Sequence, residues 1–237
     1  MTAQHHATNN DMFLKENKNK IIKLLPLMLF CSAVLTAQVP VREEPRHHPV
    51  FQNKYIRLLD VWLPAGDTTL FHIHATPSLF VILSNTVTGS QIKDSAWSNT
   101  QSKAGTTWYR SFSPDTLVHR VCNADTVVFH VNDIEILSQY DVTAQGKKPL
   151  PFPVEFENEK AIAYRLTAIA DHSPIINKRG PMIAELITGK GIIFHNSTTG
   201  QTKEIEAGKY LYIEPGIAFY FSAAENKAID MVLFEIK

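Results

Sequence analysis

Three histidines carry the most specific chemistry in this sequence. His72 and His74 are separated by one residue in the run Phe71-His-Ile-His-Ala75. On a β-strand, residues i and i+2 project from the same face, so these two imidazoles point together. His119 lies downstream in Leu117-Val-His-Arg-Val-Cys-Asn123, where a neighbouring strand can aim it at the same point. Three neutral imidazoles can hold one divalent transition metal, each through a ring nitrogen at about 2.0–2.1 Å for zinc. Neutral ligands leave the ion its full charge and leave positions free for water or substrate. A lone strand histidine is more often a satisfied polar residue, so the weight rests on the pair together with the third.

The elements that must position these residues read as strands. From Tyr55 onward, short β-branched and aromatic runs at 56–63, 79–83, 126–137, 183–187, 209–213 and 228–236 are split by Gly, Pro, Asn and Asp. Such spacing predicts an all-β sandwich or barrel. An internal repeat divides it. Ala104-Gly105 precedes a strand at 107–112, Pro114, His119, Asn123 and a last apolar strand. Ala207-Gly208 precedes a strand at 209–213, Pro215-Gly216, Tyr220, Asn226 and a last apolar strand. The expected units are 41–140 and 155–237, joined by a linker at 141–154 with Gly146 and three prolines. The second unit lacks a His-x-His pair around 176–182, and Phe219 or Tyr220 stands near the expected late histidine. It is therefore expected to hold no metal and to complete the architecture, with His172 and His195 facing solvent.

These residues resemble the cupin superfamily. Its first motif runs Gly, five residues, His-x-His, three or four residues, Glu. Its second runs Gly, five residues, Pro-x-Gly, two residues, His, three residues, Asn. Gly66 with His72 and His74 matches the first, and His119 with Asn123 matches the second. The resemblance covers the first unit and, more weakly, the second, and so implies two double-stranded β-helix barrels in tandem, a bicupin. The chain is similar to uncharacterised cupins with serine in place of the motif glutamate, because Ser78 stands there. Asp115-Thr116 likewise replaces the end of Pro-x-Gly. The implied ligands are His72, His74 and His119, with Ser78 or water at a further position. The ion is one of Fe, Mn, Ni, Cu or Zn. Asn123, Tyr109, Arg110 and His130 are candidates for the pocket wall or for support behind the ligands. Arg110 or Arg120 is also a candidate anchor for an anion through its bidentate fork. His47 and His48 read as surface groups or as support.

Composition excludes more than it assigns. The chain has 237 residues, 44% of them hydrophobic, and 23 basic side chains balance 23 acidic ones. Zero net charge argues against a broad nucleic-acid surface. Two cysteines, Cys31 and Cys122, build neither a disulfide framework nor a zinc knuckle. Lys15, Lys18, Lys20 and Lys23 precede an apolar run at 24–35 that ends in Thr36-Ala37. That order reads as a secretory signal peptide over 1–37, with Met12 as an alternative start. The apolar run is short for a membrane span, although a single anchor is the other reading. The expectation is a periplasmic or secreted chain with no stable membrane insertion after cleavage. Two functions compete: a metal-dependent enzyme on a small molecule, dioxygenase- or isomerase-like, and a non-catalytic module that binds a small ligand or metal. No general acid or base is visible beside the histidines, which favours the second slightly. A structural interaction protein, the third class, would bind no metal. A homodimer is compatible with the resemblance.

Overall fold

The computed structural model describes residues 38–141, 149–169, 172–223 and 228–237. The expected signal peptide at 1–37, the middle of the expected linker and Asn226 lie outside the described residues. The first half is built from β1 (Val39–Pro40), β2 (His47–Gln52), β3 (Ile56–Leu63), β4 (His72–His74), β5 (Ser78–Ile82), β6 (Thr86–Ile92), β7 (Trp97–Ser102), β8 (Thr107–Arg110), β9 (Leu117–Asn123) and β10 (Phe129–Ile136). They form two sheets, ordered β1-β4-β9-β6-β7 and β2-β3-β10-β5-β8. The second half is built from β11 (Val154–Glu157), β12 (Ala161–Leu166), β13 (Met182–Thr188), β14 (Ile192–Asn196), β15 (Thr202–Ile205), β16 (Lys209–Ile213), β17 (Phe219–Ala223) and β18 (Asp230–Ile236). Its sheets run β11-β12-β18-β13-β16 and β15-β14-β17. The architecture is all-β, two barrel-like sandwiches in tandem. Among the described residues no helix is long and apolar enough to cross a membrane.

The repeat is visible in the topology. The order β2-β3-β10-β5-β8 recurs strand for strand as β11-β12-β18-β13-β16. The two Ala-Gly pairs make equivalent turns, closed by Thr106 N–H to Lys103 O and Lys209 N–H to Glu206 O, both 3.1 Å. Gly105 and Gly208 take φ of 86° and 74° at the third turn position, a conformation that favours glycine. Their own N–H groups donate to Ile82 O and Leu186 O, each at 2.7 Å.

Alternation along the strands divides two environments. On β10, Phe129, Val131 and Asp133 turn into the first barrel, whereas Ile134 and Ile136 join a cluster shared by both barrels. There Ile56, Leu58, Leu79 and Val81 meet Ala161, Ala163, Ile183, Val232 and Phe234. One polar pair interrupts this apolar seam: the Asn132 amide donates to both Glu185 oxygens, at 3.0 and 2.9 Å. Inside the second barrel, Tyr164, Phe194, Phe219 and Phe221 belong to a hydrophobic core that fills it.

Candidate metal centre

Strand pairing brings the motif histidines together. β4 runs antiparallel to β9 with His72 directly opposite His119. His74, two residues on, shares the inward face, and its Nε2 lies 3.1 Å from His119 Nε2. Ring centroids are 4.6 Å apart for His72 and His119, and 5.0 Å for His74 with either partner. His72 and His74 are buried, and His119 is mostly so.

A fourth imidazole joins them. His47, the first residue of β2, is 7% exposed rather than on the surface. Its ring is 4.6 Å from that of His72 and 6.3 Å from that of His74. One ring nitrogen from each of His47, His72 and His74 lies within 4.8 Å of the others. The sequence placed this residue on the surface or in support, not among the candidate ligands, because β2 reaches the site only by pairing with β3, with His47 opposite Val61. No local spacing in Arg46-His-His-Pro49 reports that.

Each ring has a different group at its Nδ1. Glu44 Oε2 lies 2.7 Å from Nδ1 of His47, and Leu70 O lies 2.9 Å from that of His72. Ser90 Oγ stands 3.3 Å from that of His119 and Asp133 Oδ2 3.4 Å from that of His74. At His47, His72 and His119 these are hydrogen bonds, which fix the tautomer and ring plane as metal-ligating imidazoles are held, whereas His74 Nδ1 and both Asp133 oxygens are buried without one. The other nitrogen is then free to coordinate. His72 Nε2 is buried with no hydrogen-bond partner. Two lone pairs 3.1 Å apart, as at His74 and His119, repel unless a hydrogen or a cation lies between them. The donor set therefore fits a borderline transition ion.

Electrostatics favour neutral rings. Burial, with His47 adding repulsion, pulls the His72 pKa down to about 4. Burial with His72, His47 and Arg110 nearby takes His119 to about 3. His74 lies well below its ordinary value, chiefly through burial and then the neighbouring rings. Asp133 shifts the other way: burial and Glu135 push its carboxyl well above the usual carboxylate range, and Ser78 offsets part of this. A buried acid thus stands beside His74, which corrects the expectation that no such group accompanies the histidines. Alternation on β10 was the available signal, but the sequence left its inward face undetermined.

The cluster sits in a cavity of about 340 Å³. Val61, Leu63, Phe80, Ile82, Val121, Phe129 and Val131 form its apolar wall. Thr100, Gln101, Lys103 and Trp108 also line it and are exposed, so the cavity reaches solvent past β7 and β8. The remaining sequence candidates fall elsewhere. Ser78 is buried and donates to Thr76 O at 3.1 Å, outside the cavity lining. Asn123 donates to Leu63 O and Val127 O, at 2.9 and 2.7 Å, and holds a turn. Tyr109 points away from the cavity and donates to Glu159 at 2.8 Å, whereas its neighbour Trp108 stacks on Phe80 at 4.6 Å. Arg110 is exposed over the Phe112 ring. His130 stacks on Trp62 at 3.7 Å and bonds Asp60 at 2.7 Å, on the outer face of β10.

No protein-family model matches the sequence, and no curated protein does. Solved structures do match. A cupin 2 conserved barrel domain protein from Leptotrichia buccalis aligns at 8% identity over 79% of this chain and 86% of its own, TM-score 0.52. The chain has the cupin fold. AerE from Microcystis aeruginosa aligns at 12% identity over 82% of this chain and 98% of its own, TM-score 0.56. The salicylate 1,2-dioxygenase of Pseudaminobacter salicylatoxidans aligns at 11% over 77% and 71%, TM-score 0.54. A variant of that dioxygenase is solved in complex with gentisate. Likeness at such identities carries fold and not activity.

Within this chain the register shows what the second barrel does with the same positions. In the first, Thr68 bridges Cys122 and His72 pairs with His119. In the second, His172 bridges Ser222 and Ile176 bridges Phe219. The residue spacings are the same, so Ile176 and Phe219 occupy the places of His72 and His119. Both are buried, and Phe219 packs 5.6 Å from Phe194 and from Phe221. His172 is exposed, and His195, partly buried, stacks on Tyr220 at 4.3 Å.

Proposed function

We propose that this is an exported cupin whose N-terminal barrel, over 41–140, holds one divalent transition metal on His72, His74 and His119 and acts on a small molecule. The observation that carries the reading is the convergence of buried imidazoles in the wall of an apolar cavity that opens to solvent. When bound, a divalent transition ion would supply Lewis acidity towards a carbonyl or enol oxygen and, as iron, a route to dioxygen chemistry. The chain's own residues do the rest. Leu70 and Ser90 hold the ring planes of His72 and His119. The wall from Val61 to Val131 excludes water and seats an apolar body, while the hydroxyls of Thr88 and Ser102, 2.8 Å apart, offer hydrogen bonding. Asp133 Oδ2, 3.4 Å from His74 Nδ1, is placed to hold a proton next to that ring. A dioxygenase of the same fold in complex with gentisate supports a small ring-bearing substrate. The domain at 155–237 serves as a structural partner barrel.

The test is turnover. Metal-replete protein is screened in air against phenols, diketones and sugar derivatives, with products read by mass spectrometry. Product formation supports the enzyme; ligand-induced thermal stabilisation without product would instead make it a binding module. Export rests on the basic and apolar segments before Ala37. Protein from its native host is expected to begin near Gln38, and an intact Met1 or Met12 in the cytosolic fraction would contradict it.

A further inference from the structure

We infer that His47 is a fourth metal ligand, making the site an all-imidazole one in which a histidine from β2 takes the part that a carboxylate plays in the cupin motif. The inference rests on the metal site proposed above and adds a residue to it. Ser78, at the motif's carboxylate position, donates to Thr76 O and does not line the cavity. The one cavity-lining carboxylate among the described residues, Asp133, meets His74 at Nδ1 rather than at Nε2. That leaves the carboxylate's role vacant among the motif residues.

His47 is held as a ligand would be. Glu44 Oε2 engages its Nδ1 at 2.7 Å, which leaves Nε2 with the open lone pair. Glu44 is itself buried, 1% exposed, and accepts the Arg46 N–H at 2.7 Å and the Leu70 N–H at 3.1 Å. Leu70 in turn accepts from His72 Nδ1 through its carbonyl. The two peptide groups of Leu70 therefore tie His47 and His72 to one frame. Arg46 clamps the same strap to Asp67 at 3.0 and 2.8 Å, and β1 lies parallel to β4 with Val39 beside His72. Burying a carboxylate beneath one imidazole is costly unless the pair is well bonded. A strap fixed at this many points sets where that ring stands. The nitrogens of His47, His72 and His74 lie within 4.8 Å, against about 3.0–3.4 Å between ligands on one ion at zinc-like bond lengths. Loading then draws the rings inward.

The test uses Co(II) and Cu(II) as probes of the full chain. Wild type is expected to bind one equivalent, with four nitrogens resolved in the Cu(II) electron paramagnetic resonance spectrum. His47→Ala should show three nitrogens and at least about tenfold weaker Co(II) affinity in chelator competition. Glu44→Gln should weaken affinity by about 10- to 100-fold, as loss of an outer partner does, while keeping four nitrogens. Wild type with three nitrogens overturns the inference even if His47→Ala fails to fold. An unchanged affinity and spectrum in His47→Ala overturns it too. A wild type that binds neither ion removes the underlying metal reading and this inference with it.

Discussion

Four imidazoles crowded into one buried cluster repel when charged, and burial keeps His72 and His119 neutral down to about pH 4 and about pH 3. His74→Ala and His119→Ala are each expected to abolish tight metal binding while leaving a folded β protein, because the core rests on apolar strands. His130→Ala should leave metal content unchanged, since its ring stacks on Trp62 on the outer face. Elemental analysis with circular dichroism reads all three, and wild-type metal in folded His74→Ala would contradict the site. The motif histidines were legible in the sequence because strand period and motif spacing are local. His47 and Asp133 were not. Each reaches the cluster through a long-range strand pairing, β2 on β3 and β10 on β5, and neither pairing leaves a local trace.

At the scale of elements, the seam between β10 and β13 holds a group whose protonation affects stability. Burial pushes the Glu185 carboxyl up to about 8 from an ordinary 4.5, with Asn132 bonding offsetting part. Between those values the folded chain keeps a proton that the unfolded chain has released. Its contribution to stability is therefore fully present below about 4.5 and is lost as pH rises through about 8. Glu185→Gln should remove this dependence and raise stability at pH 8 relative to wild type. Urea unfolding at pH 5 and pH 8 measures it, and parallel losses in both proteins would contradict the assignment. Strand limits at this scale were partly legible. The expected 56–63 and 209–213 coincide with β3 and β16, whereas the run from 126 starts late because Asp125 Oδ1 accepts the Thr126 N–H in a turn at 2.6 Å. β4, three residues long, is legible only through its chemistry.

At the scale of the whole chain, the two barrels share the strand order of one five-stranded sheet, in the first around a cavity and in the second around a packed core. The sequence showed the repeat through its Ala-Gly turns, but it left open whether Phe219 or Tyr220 replaced the late histidine. The register settles it on Phe219, paired with Ile176. Phe219→Ala, at a position 1% exposed, should cost about 3–5 kcal/mol of stability, seen as a lower urea midpoint. Metal bound per folded chain should not change, because Ile176 and Phe219 put no ligand at the positions of His72 and His119. The most direct measurement is the metal content of full-length protein purified without chelator, alongside folded His72→Ala, His74→Ala and His119→Ala. About one transition-metal ion per wild-type chain is expected, and essentially none in the variants. A metal-free wild type, or folded variants with wild-type metal, would contradict it.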